Sequence, residues 1–331
     1  MSWEFGDVDL KAHMHMQAEW NQGFVDAHFQ KRHGMRGQRK LFVNNLLAIK
    51  LAAEDMQRRN DTRRIKLVVA GASPGIHLPV LARYLAASNI ADRLDVHLYD
   101  PKPLHRAVAG VVHRSEHLTF TQDEFRDSHA LDWSRRDPAK TCLIFLSDIR
   151  SDIHSKAEHA LADETKIGVD MRRQKEWVET MRPDYSMLKF HAQHATRDNP
   201  SIAPGFSYLA GDLYKQADTD LFSAECRLFV TQADIREKQY STADIERHMF
   251  FHNQSLRPRL YSVLRGARHL QFDEAFQFHV AQEAGRVLAV DADMMLKEAC
   301  AKLPVDKIAF TWTPPKSSRL QTLLRGVQTR L

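Results

Sequence analysis

Cysteine, glycine and proline are all scarce in this chain of 331 residues, with three, 13 and 12 of each. Three cysteines without CxxC spacing build neither a disulfide framework nor a zinc knuckle, and the apolar settings of Cys142 and Cys226 suit free, buried thiols. The low glycine and proline content, without low-complexity stretches or internal repeats, excludes linkers and solenoid arrays. No apolar run approaches the roughly 20 residues that cross a bilayer, and MSWEFGDVDLKAHMHM lacks the basic and apolar halves of a signal peptide. A cytoplasmic protein without membrane partners is therefore expected. Phosphate-loop, metalloprotease and nucleophile-elbow patterns are missing too: there is no GxxxxGK[ST], no HExxH, and no GxSxG around Ser147. His13, His15 and His33 carry no metal-ligand spacing, so no metal is expected.

What is present is a hydrophobic content of 43%, enough for a full core, and a formal net charge of +5 with 18 histidines uncounted. That excess favours polyanionic partners without proving one. Basic residues gather at Lys31-Arg32-His33 with Arg36, Arg39 and Lys40, at Arg58-Arg59 and Arg63-Arg64, and at Arg257, Arg259, Arg265 and Arg268. They read either as solvated faces or as a groove that tracks phosphates.

Along the chain, apolar residues recur at helical period from Gly37 to Met56, placing Lys40 in a first turn. IKLVVAG (65–71) then reads as a buried parallel strand, and Ile76 to Ser88 as a helix with Pro79 in its first turn. Further strands are expected at Leu94 to Tyr99, His117 to Phe120, TCLIFLSD (141–148), YSMLKF (185–190) and ECRLFV (225–230). Helices are expected near Asp123, from Lys166 to Met181, over ADIERHMFFHNQ and across 270–299. Residues 149–164 read as loop and KIAFTWT as a late strand. Trp133, Trp177 and Trp312 read as packing residues. Alternating strands and helices with short turns point to an α/β fold, a doubly wound, mostly parallel sheet with helices on both faces. One domain over 35–260 is expected, preceded by an extension (1–34) and followed by a helical extension (261–331) packed on the same domain.

In such a sheet, chemistry collects at the carboxyl ends of the strands. The turn VAGASPGIH offers Gly71 and Gly75 for a tight approach to a ligand and free N–H groups at the following helix start. It lacks the GxGxxG of a dinucleotide site, and a carboxylate would suit it as well as a phosphate. Asp100, at the end of the second strand, reads equally as a ribose ligand or as a turn residue. Four charged residues, Lys40, Asp148, Lys189 and Glu225, each lie beside an apolar run. Charges on buried surface are costly unless paired, so they form either structural salt bridges or one cluster able to lower a lysine's pKa for proton transfer.

The segments RGQRKLFVNNLL, VVAGASPGIHLPVLARYL, HLYDPK, CLIFLSDIRS, YSMLKF, FSAECRL and IERHMFF, in this order, resemble the poxvirus-type cap-specific mRNA 2'-O-methyltransferase, which is also the small, processivity subunit of the viral poly(A) polymerase. The resemblance covers about residues 35 to 255. It implies a Rossmann-like class I methyltransferase fold with Lys40, Asp148, Lys189 and Glu225 as a catalytic tetrad, in which Lys189 activates the 2'-hydroxyl of the first transcribed nucleotide. It implies S-adenosyl-L-methionine, or its product S-adenosyl-L-homocysteine, held by Gly71, Ala72, Ser73, Pro74, Gly75, His77, Asp100, Lys102, Phe120 and Ile149. It further implies capped mRNA as substrate, with the methylated guanine stacked on Phe222 and read by Glu246, and RNA contacts from Arg150. The family's second stacking ring falls where this chain has His191 and His194, so either His194 stacks or Trp20, Phe24 or Phe29 completes the clamp. A host-cytoplasmic or virion location of a viral protein goes with the resemblance.

Two other readings remain beside this one. The first is a non-catalytic, RNA-binding processivity subunit that keeps the fold. The second is a methyltransferase acting on uncapped RNA, which the changed clamp favours. The motifs fade beyond residue 260, leaving a poly(A) polymerase catalytic subunit as an open partner.

Overall fold

The computed structural model describes residues 35–151, 160–192, 205–219, 223–253, 257, 260–262 and 269–303. Helix α1 (Arg36–Arg58) leads into β1 (Arg64–Ala70), α2 (Leu78–Ala86), β2 (Leu94–Tyr99), α3 (Arg106–His113) and β3 (Leu118–Thr121). There follow α4 (Asp127–Ser134), β4 (Thr141–Ser147), α5 (Ala160–Met181), β5 (Tyr185–His191), β6 (Gly205–Leu209), β7 (Asp212–Tyr214), β8 (Glu225–Thr231), β9 (Glu237–Ser241) and α6 (Thr242–Phe251). A small pair, β10 (Leu260–Ser262) and β11 (His269–Gln271), precedes α7 (Phe272–Leu288) and α8 (Ala292–Lys302).

Seven strands form one sheet in the order β3-β2-β1-β4-β5-β8-β7. The first five are parallel, while β8 runs antiparallel to β5, and β7 antiparallel to β8. The fold is thus the expected Rossmann-like α/β arrangement. The reversal of order at β1 and β4 puts a crevice at their carboxyl ends. Strand alternation divides the core in two. Ile65, Leu67 and Val69 of β1 face a cluster built with α1, α2, α7 and α8. Val68 and Ala70 face the other, which includes Phe125, Trp177 and Met249. Each large apolar side chain so buried contributes roughly 1.5–3 kcal/mol.

Several expectations need correcting. The loop expected through 164 ends earlier, because α5 begins at Ala160. The largely helical stretch expected over 270–299 is found, as two helices separated where Ala289 takes a positive φ of 57° and Asp291 caps the second by accepting from Met294 N–H. The β6–β9 pair and β7 were not foreseen; at three residues, β7 is too short to show a periodicity. The extension after 260 is also less purely helical than expected, since it opens with β10 and β11. It packs on the main sheet's core through α7, and the buried Arg39 of α1 donates to Leu303 O at 2.9 and 3.1 Å and to Gln277 Oε1 at 3.0 Å. KIAFTWT and Trp312 lie outside the described residues. Among the described residues, no helix is long and apolar enough to cross a membrane.

Candidate active site

The four charged residues converge, and the reason is local. On β5, period-two alternation puts Lys189 on the same face as Tyr185 and Met187, toward α1. On β8, the same rule places Glu225 and Arg227 on the face of Phe229, also toward α1. The antiparallel register sets Lys189 opposite Arg227. Asp148 leaves the end of β4, its N–H bound to Ala70 O at 2.9 Å. From α1, Lys40 reaches over the sheet's end, and Asn44, one turn later on the same stripe, follows it.

Lys40 Nζ lies 2.8 Å from Glu225 Oε1, across 185 positions of sequence. Lys189 Nζ lies 3.3 Å from Asp148 Oδ1 and 3.6 Å from Glu225 Oε2. Two further cations join them. Arg227 makes a short ion pair with Asp148 and lies 4.0 Å from Glu225, and Arg150 is 3.1 Å from Glu225 Oε2. Gln216 holds the group from beneath, donating to Glu225 Oε1 at 2.9 Å while its own oxygen accepts from Arg227 Nε at 2.9 Å and Asn44 Nδ2 at 2.8 Å.

Four cations therefore share two carboxylates in a nearly dry site, with Lys189 only 8% exposed. Burial pushes the Lys189 amine below its usual 10.5; Asp148 and Glu225 oppose the shift, and the nearby charges of Lys40 and Arg227 reinforce it. Burial alone would raise both acids, but the surrounding cations outweigh it. Lys189, Arg227 and Lys40 hold Asp148 at about 2, and Lys40, Lys189, Arg227 and Arg150 keep Glu225 well below 4.5. The arrangement presents an amine whose deprotonation is eased by burial, between two fixed carboxylates, which is the equipment for handling a hydroxyl proton.

Beside it lies the turn after β1. Gly71 and Gly75 take φ values of 85° and 69°. A Cβ on Gly71 would stand 2.9 Å from the Asp148 carbonyl carbon, so glycine is needed where the turn passes the charged group. Asp100 accepts from the N–H groups of Ser73 at 2.9 Å and Lys102 at 2.8 Å, so its carboxylate shapes this turn. His77, expected among ligand contacts, is 2% exposed. Its ring meets Asn45 Nδ2 at 3.1 Å and Gln38 Oε1 at 3.1 Å, and burial lowers its pKa to about 4. Phe120 packs on the apolar cluster of the α1 face and Ile149 on that of the other face. Lys102 is exposed, and Glu246 sits half-buried on α6. The end of α6 is tied to this site by Asn253, whose Nδ2 donates to Ser223 O at 3.0 Å. Phe222, His194, Trp20, Phe24 and Phe29 lie outside the described residues.

Sequence reasoning missed Arg227, Gln216 and Asn44. Arg227 was legible: a charge two residues after Glu225 in an apolar strand must share its face. Gln216 follows the unforeseen β7, and Asn44 reads as an ordinary helix residue.

A family model described as poly A polymerase regulatory subunit matches residues 11–279. The chain belongs to this family. Family likeness therefore reaches past residue 260, where the sequence motifs faded. No curated protein matches the chain. Among solved structures, bluetongue virus VP4, described as a multifunctional RNA-capping production line, aligns at 14% identity with a TM-score of 0.43. That alignment covers 80% of this chain and 42% of VP4, so the chain spans less than half of VP4's length.

Proposed function

We propose that this poly A polymerase regulatory subunit family member is an S-adenosylmethionine-dependent RNA 2'-O-methyltransferase whose substrate is the first transcribed nucleotide of capped mRNA. The observation that carries this reading is the meeting of Lys40, Asp148, Lys189 and Glu225 in one buried cluster. Support for the cofactor comes from the neighbouring turn, where Gly71 and Gly75 take the positive φ values of a tight turn at the strand's carboxyl end and Asp100 fixes the backbone of Ser73. Gly71, Ala72, Ser73, Gly75 and Asp100 would hold it. When bound, S-adenosylmethionine supplies an electrophilic sulfonium methyl group and leaves as S-adenosylhomocysteine.

A ribose hydroxyl is a weak nucleophile at neutral pH. Burial lowers the Lys189 pKa and so favours the neutral amine, whose nitrogen would accept the hydroxyl proton. Asp148 and Glu225, kept ionised, orient the Lys189 amine and stabilise the ammonium that results. Lys40 holds Glu225 in place and discourages protonation of Lys189 beforehand. Arg150, which pairs with Glu225 at 3.1 Å, would also meet an RNA phosphate, while Phe222 and Glu246 would stack on and read the guanine.

The family description favours a second role, as the regulatory partner of a poly(A) polymerase catalytic subunit. The purified chain, given donor labelled in the methyl group together with capped and uncapped transcripts, separates the readings. Label on the 2'-oxygen of the first nucleotide of capped RNA alone is expected. Equal labelling of uncapped RNA overturns the cap assignment, and no transfer at all leaves the regulatory role.

A further inference from the structure

Arg257 belongs by sequence to a basic run that reads as a solvated face or a phosphate groove, yet it is buried, only 2% exposed. Asp273, in the first turn of α7 and equally buried, holds it by two bonds. Nε donates to Oδ1 at 3.1 Å and Nη2 to Oδ2 at 2.7 Å. Taking two charges out of water offsets most of what their attraction returns, so stability alone does not call for such a pair. What the pair supplies is direction, because a planar guanidinium gripped at two points has one orientation.

The other N–H groups of Arg257 meet the chain between β7 and β8 and the end of α6. Nη1 donates to Thr219 Oγ1 at 3.3 Å and to Asn253 Oδ1 at 3.1 Å, and Nη2 to Thr219 O at 3.1 Å. With its oxygen engaged in this way the Asn253 amide is oriented, and its Nδ2 donates to Ser223 O at 3.0 Å. Thr219 and Ser223 both lie on the connection from β7 to β8. One buried guanidinium therefore ties two points of that connection to each other and to α7.

Both points lead to Glu225. Ser223 Oγ accepts from the Glu225 N–H at 3.1 Å, at the first residue of β8. Back along the chain from Thr219, Asp218 takes a φ of 57° and its Oδ2 accepts from Gln277 Nε2 of α7 at 2.8 Å. Before it, Gln216 donates to Glu225 Oε1 at 2.9 Å and to Glu225 O at 3.1 Å. We propose that Arg257, oriented by Asp273, is a positioning residue of the methyl-transfer site, setting the backbone and carboxylate of Glu225 and through them the surroundings of the Lys189 amine. This role rests on the methyl-transfer reading.

Arg257→Lys in the full chain tests it, since lysine keeps a positive charge beside Asp273 but not the guanidinium's fork of donors. With Glu225 loosened, kcat should fall by about 10- to 100-fold while KM for donor and RNA stays near wild type. Burial lowers the pKa of Lys189, Asp148 and Glu225 raise it, and Lys40 and Arg227 lower it further. A displaced Glu225 therefore moves the Lys189 midpoint, followed by nitrogen NMR, to lower pH, and the acid limb of the pH–rate profile with it. A general loss of stability moves neither. Asn253→Ala, which cuts the branch to Ser223 and leaves Asp273 and Thr219 on Arg257, should shift both in the same direction by less, and it carries the test if Arg257→Lys does not fold. Wild-type kcat in Arg257→Lys, a raised KM with kcat unchanged, or an unmoved Lys189 midpoint overturns the positioning role. A wild-type chain that transfers no methyl group fails the reaction instead, and the midpoint then decides by itself whether Arg257 sets Glu225.

Discussion

Charge clusters stand at both ends of the central sheet, and they differ in one physical respect. At the amino ends of the strands, Asp95 pairs with Arg64 at 3.0 Å, Lys66 at 2.7 Å and His117 at 2.8 Å. Its partners are open to water, with side chains 53%, 28% and 57% exposed. At the carboxyl ends, the side chains of Lys189 and Arg227 are 10% and 3% exposed. Both clusters keep their acids ionised, Asp95 through the cations that outweigh its burial. In the dry one, burial also drives Lys189 toward its neutral form. Ion pairing alone is structural, and desolvation together with surplus positive charge is what turns the second cluster toward chemistry.

The comparison breaks most sharply at Lys189. Lys189→Met should lower methyl transfer on the order of 10²–10⁴-fold, with donor and RNA affinities near wild type by calorimetry. Wild-type turnover in that variant removes the amine from the mechanism. Arg227→Met should have the next largest effect, costing about 3–5 kcal/mol of stability in denaturant unfolding because a buried ion pair loses one partner. It also removes a like charge beside Lys189, so the amine's pKa rises and the acid limb of the pH–rate profile moves to higher pH.

Acid unfolding sharpens the contrast further. Asp148 and Glu225 titrate below their ordinary values of 3.8 and 4.5, so their stabilisation is fully present above about pH 4.5 and is lost as pH falls toward 2. Asp148→Asn should flatten that part of the stability curve, read by thermal melting across pH. The smallest effect belongs to the wet cluster: Asp95→Asn should cost about 1 kcal/mol or less and leave methyl transfer unchanged. A large loss of activity there would erase the distinction between the two ends.

Much of this architecture was readable from residue order. The β-branched run of β1 and the apolar run of β4 declare buried parallel strands, and Asp148 at the end of the latter declares a strand-end site. The facing of Lys189 and Glu225 follows from alternation along two apolar strands. Asp100 shows the limit, because one residue could serve a ligand or a turn, and only coordinates reveal that it accepts from Ser73 and Lys102. His77 shows another, since its burial between Asn45 and Gln38 depends on α1 crossing the start of α2. The break between α7 and α8 was hidden because Ala289 is an unusual residue for a positive φ.

The most direct test is the titration of the Lys189 amine, followed by nitrogen NMR of the lysine side chains and assigned by its loss in Lys189→Met. A midpoint below 10.5 is expected in the wild type, rising when Lys40→Met takes away a neighbouring positive charge. A midpoint at or above 10.5, unmoved by Lys40→Met, would contradict a desolvated amine held between Asp148 and Glu225.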